Sequence, residues 1–333
     1  MAAVLSCILP VHGPAPQLGQ TLDSILNQSF GWFELLLLDD GSTNENTSLC
    51  RQYAQKDVRI RLFRLSQASE AEMKNTAIDE AEGRYLAFVE PGEMLGSKAF
   101  AKMVQAMENR GLDWISANYT LQGSQQSQPM EHPAFAAQEK EQLWQQFPSY
   151  YKTGQLEVLC NKLYRTQLIR EFGLRFLPLE AWMQTLTFQL DYLRAVRSME
   201  HMAESLAQCP VPPWQEDTQP LASLTMTQQK LEALHPFLNE EQQASLYAPL
   251  VADSLPPLVT TQFDLVCSKE TNYSFEERSQ ALETIFAQPL WHAALLSQLK
   301  QRTGFYNQCV CKAVEAKNPS LILLPLRLKR PKG

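Results

Sequence analysis

Glycine is scarce, 13 residues in 333, and proline (20) is ordinary, so the chain is neither collagen-like nor low-complexity. Cysteine is sparse and odd in number. The seven stand at 7, 50, 160, 209, 267, 309 and 311 with no C-x-x-C pair, and only Cys309 and Cys311 are close, at a spacing that is not a zinc pattern. They read as reduced, mostly buried thiols of a cytoplasmic protein, not as a disulfide scaffold. The five histidines (12, 132, 201, 235 and 292) are scattered and show no ligand spacing. Excess positive charge is missing: 29 Lys and Arg face 36 Asp and Glu, a net charge of -7, so no nucleic-acid partner is expected. No apolar run approaches the roughly 18–20 residues of a spanning helix. The opening MAAVLSCILPV is apolar but lacks a basic start and a cleavage site, so it does not read as a signal peptide. What the chain has is 44% hydrophobic and 20% charged residues, enough for a sizeable core, over a length that suits two domains or one large domain with an appendage.

The first 120 residues alternate strand and helix signals. Val4 to Val11, Phe33 to Leu38, Arg59 to Leu65, Tyr85 to Val89 and Trp114 to Leu121 read as strands. Between them Leu18, Leu22, Ile25 and Leu26 form an amphipathic stripe, and Leu49 and Tyr53 share a helical face. Ser69-Glu70-Ala71-Glu72 fits a capping box that opens a helix stopped by Gly83. A further helix is expected from Ser97 to Asn109. Strands spaced this way imply βαβ units and a largely parallel sheet. Residues 122–135 read as a loop, 179–198 as a helix, 210–220 as a proline-rich linker, and helical patterns dominate to about 300.

Ligands of open α/β sheets bind where the carboxyl ends of the strands converge. Four loops meet that condition here: 10–16, 39–44, 66–70 and 90–96. By itself Asp39-Asp40-Gly41-Ser42 is a tight turn followed by a helix cap. The order ILPVHG, LDSILNQSF, FELLLLDDGSTN, KNTAIDEAEGRYLAFVE, over residues 4–95, resembles the nucleotide-sugar-binding half of family 2 glycosyltransferases of the GT-A fold. A second block, Cys160-Asn161-Lys162-Leu163-Tyr164 through Arg175, Phe176 and Phe188, resembles the acceptor half of bacterial capsule- and exopolysaccharide-type members.

The resemblance implies an α/β chain of GT-A type, Rossmann-like, with a mostly parallel sheet and helices on both faces, followed by a helical C-terminal region. The GT-A-like domain would span 1–212, with a nucleotide-sugar half (1–121) and an acceptor half (122–212), and 213–333 would be mainly helical. It places Pro10, Val11 and His12 beside a nucleobase, has Asp40 accept from a uracil imide, and sets Lys74 where relatives often carry an arginine near the base or diphosphate. Glycosyl transfer leaves a nucleoside diphosphate whose charge Mg²⁺ or Mn²⁺ commonly neutralises. The family's aspartate-any-aspartate motif falls on Glu90, Pro91 and Gly92. Either Glu90 and Glu93 hold a metal, or Pro-Gly forms a type II turn with both glutamates in solvent. An inverting transfer also needs a carboxylate to take the acceptor's proton. The family's base positions fall on Gln184 and Thr185, neither of which can serve, and Glu180 is the nearest acid, either a displaced base or a surface residue. The expected function is transfer of a sugar from a UDP-sugar to a cell-surface glycan or lipid-linked acceptor. The alternative is a catalytically degenerate GT-A module that binds a nucleotide or a partner. The basic end, Arg327 to Lys332, either contacts the inner face of a membrane or frays.

Overall fold

The computed structural model describes residues 3–42, 44–123, 126–211, 221–268 and 271–327. It divides into two compact units, 1–211 and 212–333. In the first, β1 (Leu5–Val11), α1 (Leu18–Leu26), β2 (Phe33–Asp39), α2 (Asn44–Lys56), β3 (Ile60–Arg64), α3 (Glu70–Glu80) and β4 (Tyr85–Phe88) alternate as the apolar runs require. β1 and β2 are buried along their whole length, so both faces are covered and, apart from Ser6, Glu34 and Asp39, the runs are apolar instead of alternating. β5 (Met94–Leu95), α4 (Ala99–Arg110), β6 (Trp114–Gln122), β7 (Ser127–Met130), β8 (Phe135–Ala137), α5 (Lys140–Lys152), β9 (Lys162–Arg165), α6 (Thr166–Glu171), α7 (Ala181–Ala195) and β10 (Met199–Pro210) complete the unit.

The strands form one mixed sheet in the order β3-β2-β1-β4-β9-β6-β10-β5, with β7 on β6 and β8 on β10. β1 to β4 are mutually parallel, as the βαβ reading requires. β9 enters antiparallel between β4 and β6, and β10 runs parallel to β6. Residues 127–130, expected in a loop, form an edge strand. The parallel half fixes the level of the loops. Val11 lies opposite Asp39, and Asp39 opposite Arg64, so the chain leaves three adjacent strands at one height. Gly83 packs so tightly on β1 that an added Cβ would stand 2.4 Å from the Ser6 nitrogen. Its N–H donates to Ser6 Oγ, which donates in turn to Glu34.

The second unit is helical: α8 (Ala222–Glu240), α9 (Tyr247–Cys267), α10 (Phe275–Ala287), α11 (Pro289–Leu299), α12 (Phe305–Glu315) and α13 (Pro319–Arg327). It has a core of its own, with Val259, Phe263, Leu282, Ile285, Trp291 and Leu295 among its members. Arg278 closes α9 by donating to the carbonyls of Val266 and Ser268, a cation at a helix C-terminus. No helix among the described residues is long and apolar enough to cross a membrane. The basic end beyond Arg327 lies outside the described residues.

Candidate functional site

The loops after β1 and β2 meet on one carboxylate. Asp40, 5% exposed, accepts from the backbone N–H of Ser42 (2.8 Å) and of Gly13 (3.3 Å), and His12 Nδ1 lies 2.7 Å from its Oδ2. Asp40 also donates its own N–H to the Val11 carbonyl. Burial alone would raise its pKa. The bonds from Ser42 and Gly13 and the His12 ring outweigh that and hold it below the usual carboxylate value. Gly13 and Gly41 take the left-handed conformation, φ 66° and 70°, that lets both turns bend this tightly. His12 is exposed beside the carboxylate, whereas the Val11 side chain is core and contributes only its carbonyl. Pro10 is buried within β1 opposite Leu38.

Arg64, which the motif reading passed over, ends β3 and lays its guanidinium 3.4 Å from where a Cβ on Gly41 would stand. Its one signal in the sequence is its place, the last residue of a strand feeding this rim. The next loop carries a second surprise: Gln67 holds φ 61° and donates its N–H to the Asp40 carbonyl. A glutamine adopts this left-handed conformation at a cost that a glycine would not bear.

Lys74 is not poised over open space. Its side chain is fully buried, and Nζ donates to Glu70 and, at 2.7 Å, to Glu90 Oε1. It sits 5.0 Å from the centre of the Phe176 ring. Burial would lower its pKa, but the two carboxylates more than reverse this and keep it an ammonium. The same contact lowers the pKa of Glu90 against the burial that would raise it. Asn75 next door is bonded both ways to the Phe176 backbone, at 2.9 Å each. The capping box forms as its residues suggest: Ser69 Oγ accepts from Glu72 N–H and Ser69 N–H donates to Glu72. Glu72 is thereby spent on its own helix, and Glu70 on Lys74.

The 90–93 segment forms the expected turn but places its glutamates differently. Glu93 N–H donates to the Glu90 carbonyl and Gly92 has φ 96°, the geometry of a type II turn. Neither glutamate is simply in solvent, however. Glu90 is paired with Lys74, while Glu93 is 6% exposed and turns back to accept from Glu90 N–H at 2.7 Å. Burial, then the charge of Glu90, push the Glu93 carboxyl up to about 8. Its neighbours are soft: a Glu93 oxygen and the sulfurs of Cys160 and Cys209 lie within 4.8 Å of one another. These residues do not fit a Mg²⁺ or Mn²⁺ site. One acid already has a cation, the other is buried beside thiols that suit hard cations poorly, and Gly92 supplies no ligand. A side chain at 92 would also meet Gln17 Oε1 at 3.1 Å and Pro210 at 3.4 Å.

On the acceptor side Phe176 stacks on Phe188 with ring centres 4.1 Å apart, and Gln184 and Thr185 are both buried. Glu180 is exposed at the head of α7, with no cap bond from its side chain; its carbonyl accepts from Gln184 N–H. The expected helix over 179–198 therefore begins at Ala181, leaving Glu180 on extended backbone, not on a helical face.

The glycosyl transferase family 2 profile matches residues 6–172, half of the chain. Over 208 residues the chain is 24% identical to the uncharacterized glycosyltransferase EpsJ of Bacillus subtilis, covering 62% of this chain and 60% of that one. The chain thus spans less than two thirds of that relative's length. Among solved structures, S. aureus TarS 1–349 in complex with UDP-GlcNAc superposes with a TM-score of 0.57 at 15% identity, over 97% of this chain and 91% of that one. The mannosyltransferase PcManGT of Pyrobaculum calidifontis, in complex with GDP-Man and Mn²⁺, gives 0.52 at 13%, over 99% and 89%. These two likenesses show the GT-A type of fold alone. The profile reaches further: it runs from β1 through α6, across the Asp40 turn and the Lys74 helix, and the chain belongs to glycosyl transferase family 2.

Proposed function

We propose that this chain transfers a sugar from a UDP-sugar to a glycan or lipid-linked acceptor at the cell surface. The observation that carries the reading is the Asp40 turn, where a buried carboxylate, ionised by its neighbours, joins the loops after β1 and β2 at the carboxyl edge of the parallel strands. A carboxylate has about four acceptor positions. The Ser42 N–H, the Ser42 side chain, the Gly13 N–H and the exposed His12 ring take these up here, so the imide N–H of uracil would displace the His12 ring or share an oxygen with it. The solved complex of TarS with UDP-GlcNAc supports a uridine donor, and the resemblance of residues 160–188, in the sequence, to polysaccharide-type members supports the acceptor class.

In the proposed chemistry the chain's own groups bind and orient. His12 and Asp40 take the base, with Arg64 beside the Gly41 turn. Glu180 is the acid we assign to take the acceptor's proton, because Gln184 and Thr185 cannot take one near neutral pH. The buried Gln184 and Thr185 favour a second reading, a donor-binding module without transfer, which separates from the first when transfer and donor binding are measured on one sample.

Donor binding is tested by calorimetry with UDP. Asp40→Asn keeps the volume but turns one acceptor oxygen into a donor facing N–H groups. The loss is expected at about 1.5–3 kcal/mol, at least tenfold in Kd. An Asp40→Asn protein that binds UDP as tightly as the parent would remove this turn from the donor site.

A further inference from the structure

We propose that Lys74 permanently occupies the place of an exchangeable divalent cation, its ammonium holding Glu70 and Glu90 together and thereby tying the first turn of α3 to the end of β4. The inference deepens the donor-site reading and rests on it for its meaning in transfer. Its geometry stands by itself. The two carboxylates come from different loops of the donor rim and converge on one nitrogen. Oxygens bonded to a single nitrogen lie no more than about 5 Å apart, and a cation roughly 2.1 Å from each would draw them to about 4.2 Å or less. The ammonium is fully covered, with the Phe176 ring 5.0 Å from it and Asn75 pinning that segment through two backbone bonds.

A covered nitrogen cannot itself meet a diphosphate. Lys74 therefore does the tethering part of a metal's work and not the charge-neutralising part. Burial and the neighbouring Glu90 raise the pKa of Glu70, while Lys74 lowers that of Glu90, so the ammonium is matched first by Glu90. The turn below confirms how little room the usual arrangement has, since Gly92 N–H is held by Thr21 Oγ1 at 2.9 Å and its missing side chain would meet Gln17 and Pro210. Lys74→Met should then uncover what the ammonium conceals: two carboxylates with no cation between them, a nascent site for Mn²⁺.

Manganese binding is measured on the full chain by water-proton relaxation, with UDP calorimetry alongside. The parent is expected to show no saturable Mn²⁺ binding below millimolar, and Lys74→Met to bind at least tenfold tighter, with the gain lost again in Lys74→Met/Glu90→Gln. Micromolar binding by the parent that Glu90→Gln abolishes overturns the proposal. So does a folded Lys74→Met protein that binds no better than the parent. If Lys74→Met does not fold alone, Mn²⁺ at micromolar concentration should restore its circular dichroism and melting transition, and failure to do so also overturns the proposal. Absence of UDP binding by the parent would count against the donor-site reading and leave the manganese result standing.

Discussion

At the scale of single residues the site is governed by where carboxylates find partners. Asp40, Glu70, Glu72, Glu90 and Glu93 stand close in sequence to the rim, and each has a different fate. Their positions were readable from the motifs. Their partners were not, because Lys74 meets Glu90 only after β4 has been laid beside β1. Glu93 has the most measurable consequence. Its pKa rises from 4.5 unfolded to about 8 folded, through burial first and the charge of Glu90 second. Between those values the folded chain holds a proton that the unfolded chain releases. The stability this group contributes is complete below about pH 4.5 and is lost as pH rises through about 8, at no more than ~1.4 kcal/mol per pH unit. Glu93→Gln keeps an oxygen for the Glu90 N–H and abolishes the titration. Urea unfolding of parent and variant between about pH 5.5 and 7.5 should show the parent losing stability relative to the variant as pH rises. Parallel curves would mean that Glu93 is not held protonated.

At the scale of elements the question is which helix or strand delivers each group. α7 delivers Phe188 to the Phe176 stack and buries Gln184 and Thr185, so no carboxylate stands at the family's base positions. Because the helix starts at Ala181, Glu180 lies one residue outside it on extended backbone, free of the rotamer limits of a helical turn. Its assignment rests on elimination, since neither Gln184 nor Thr185 can take a proton near neutral pH. Glu180→Gln should lower sugar transfer by roughly 10²- to 10⁴-fold. Hydrolysis of the donor should persist, since water needs no acceptor-side acid. The two rates are followed in one assay by product chromatography, and unchanged transfer would move the role to a group outside this chain. The parallel strands β1, β2 and β4 were legible because strands covered on both faces are largely apolar, whereas the edge strand β3, IRLFR, shows an imperfect alternation. β10 was not: MEHMAESLAQCP carries no β-branched residue, its burial is irregular, and its pairing with β6 shifts register between Met202 and Ala207. Short antiparallel strands such as β9, with four residues, owe their conformation to the strands on either side, which no local pattern announces.

At the scale of the whole molecule, every group assigned to the donor lies in residues 1–211, and that unit has its own core built around β1, β2, β4 and β6. The helical unit has a separate one. Units with separate cores fold as separate units when a cut falls between them. The sheet ends late. β10 pairs with β6 from Met199 to Pro210, receives β8 at Met199 to His201 and β5 at Ala207 and Gln208, and adds Leu206, Ala207 and Cys209 to the core. Val211 still donates its N–H to the Gln122 carbonyl. A fragment of residues 1–211 should therefore fold cooperatively and bind UDP within about 0.5 kcal/mol of the full chain, as expected for a site with no group beyond the cut. A fragment of residues 1–198 removes the strand against which β5, β6 and β8 are paired and leaves the backbone groups of β6 without partners on that side. It should not fold. Circular dichroism melts and UDP calorimetry on the two fragments test both statements. A folded, UDP-binding 1–198 fragment would show that β10 is not needed to complete the donor unit. A 1–211 fragment that folds but no longer binds UDP would place part of the donor site in the helical region.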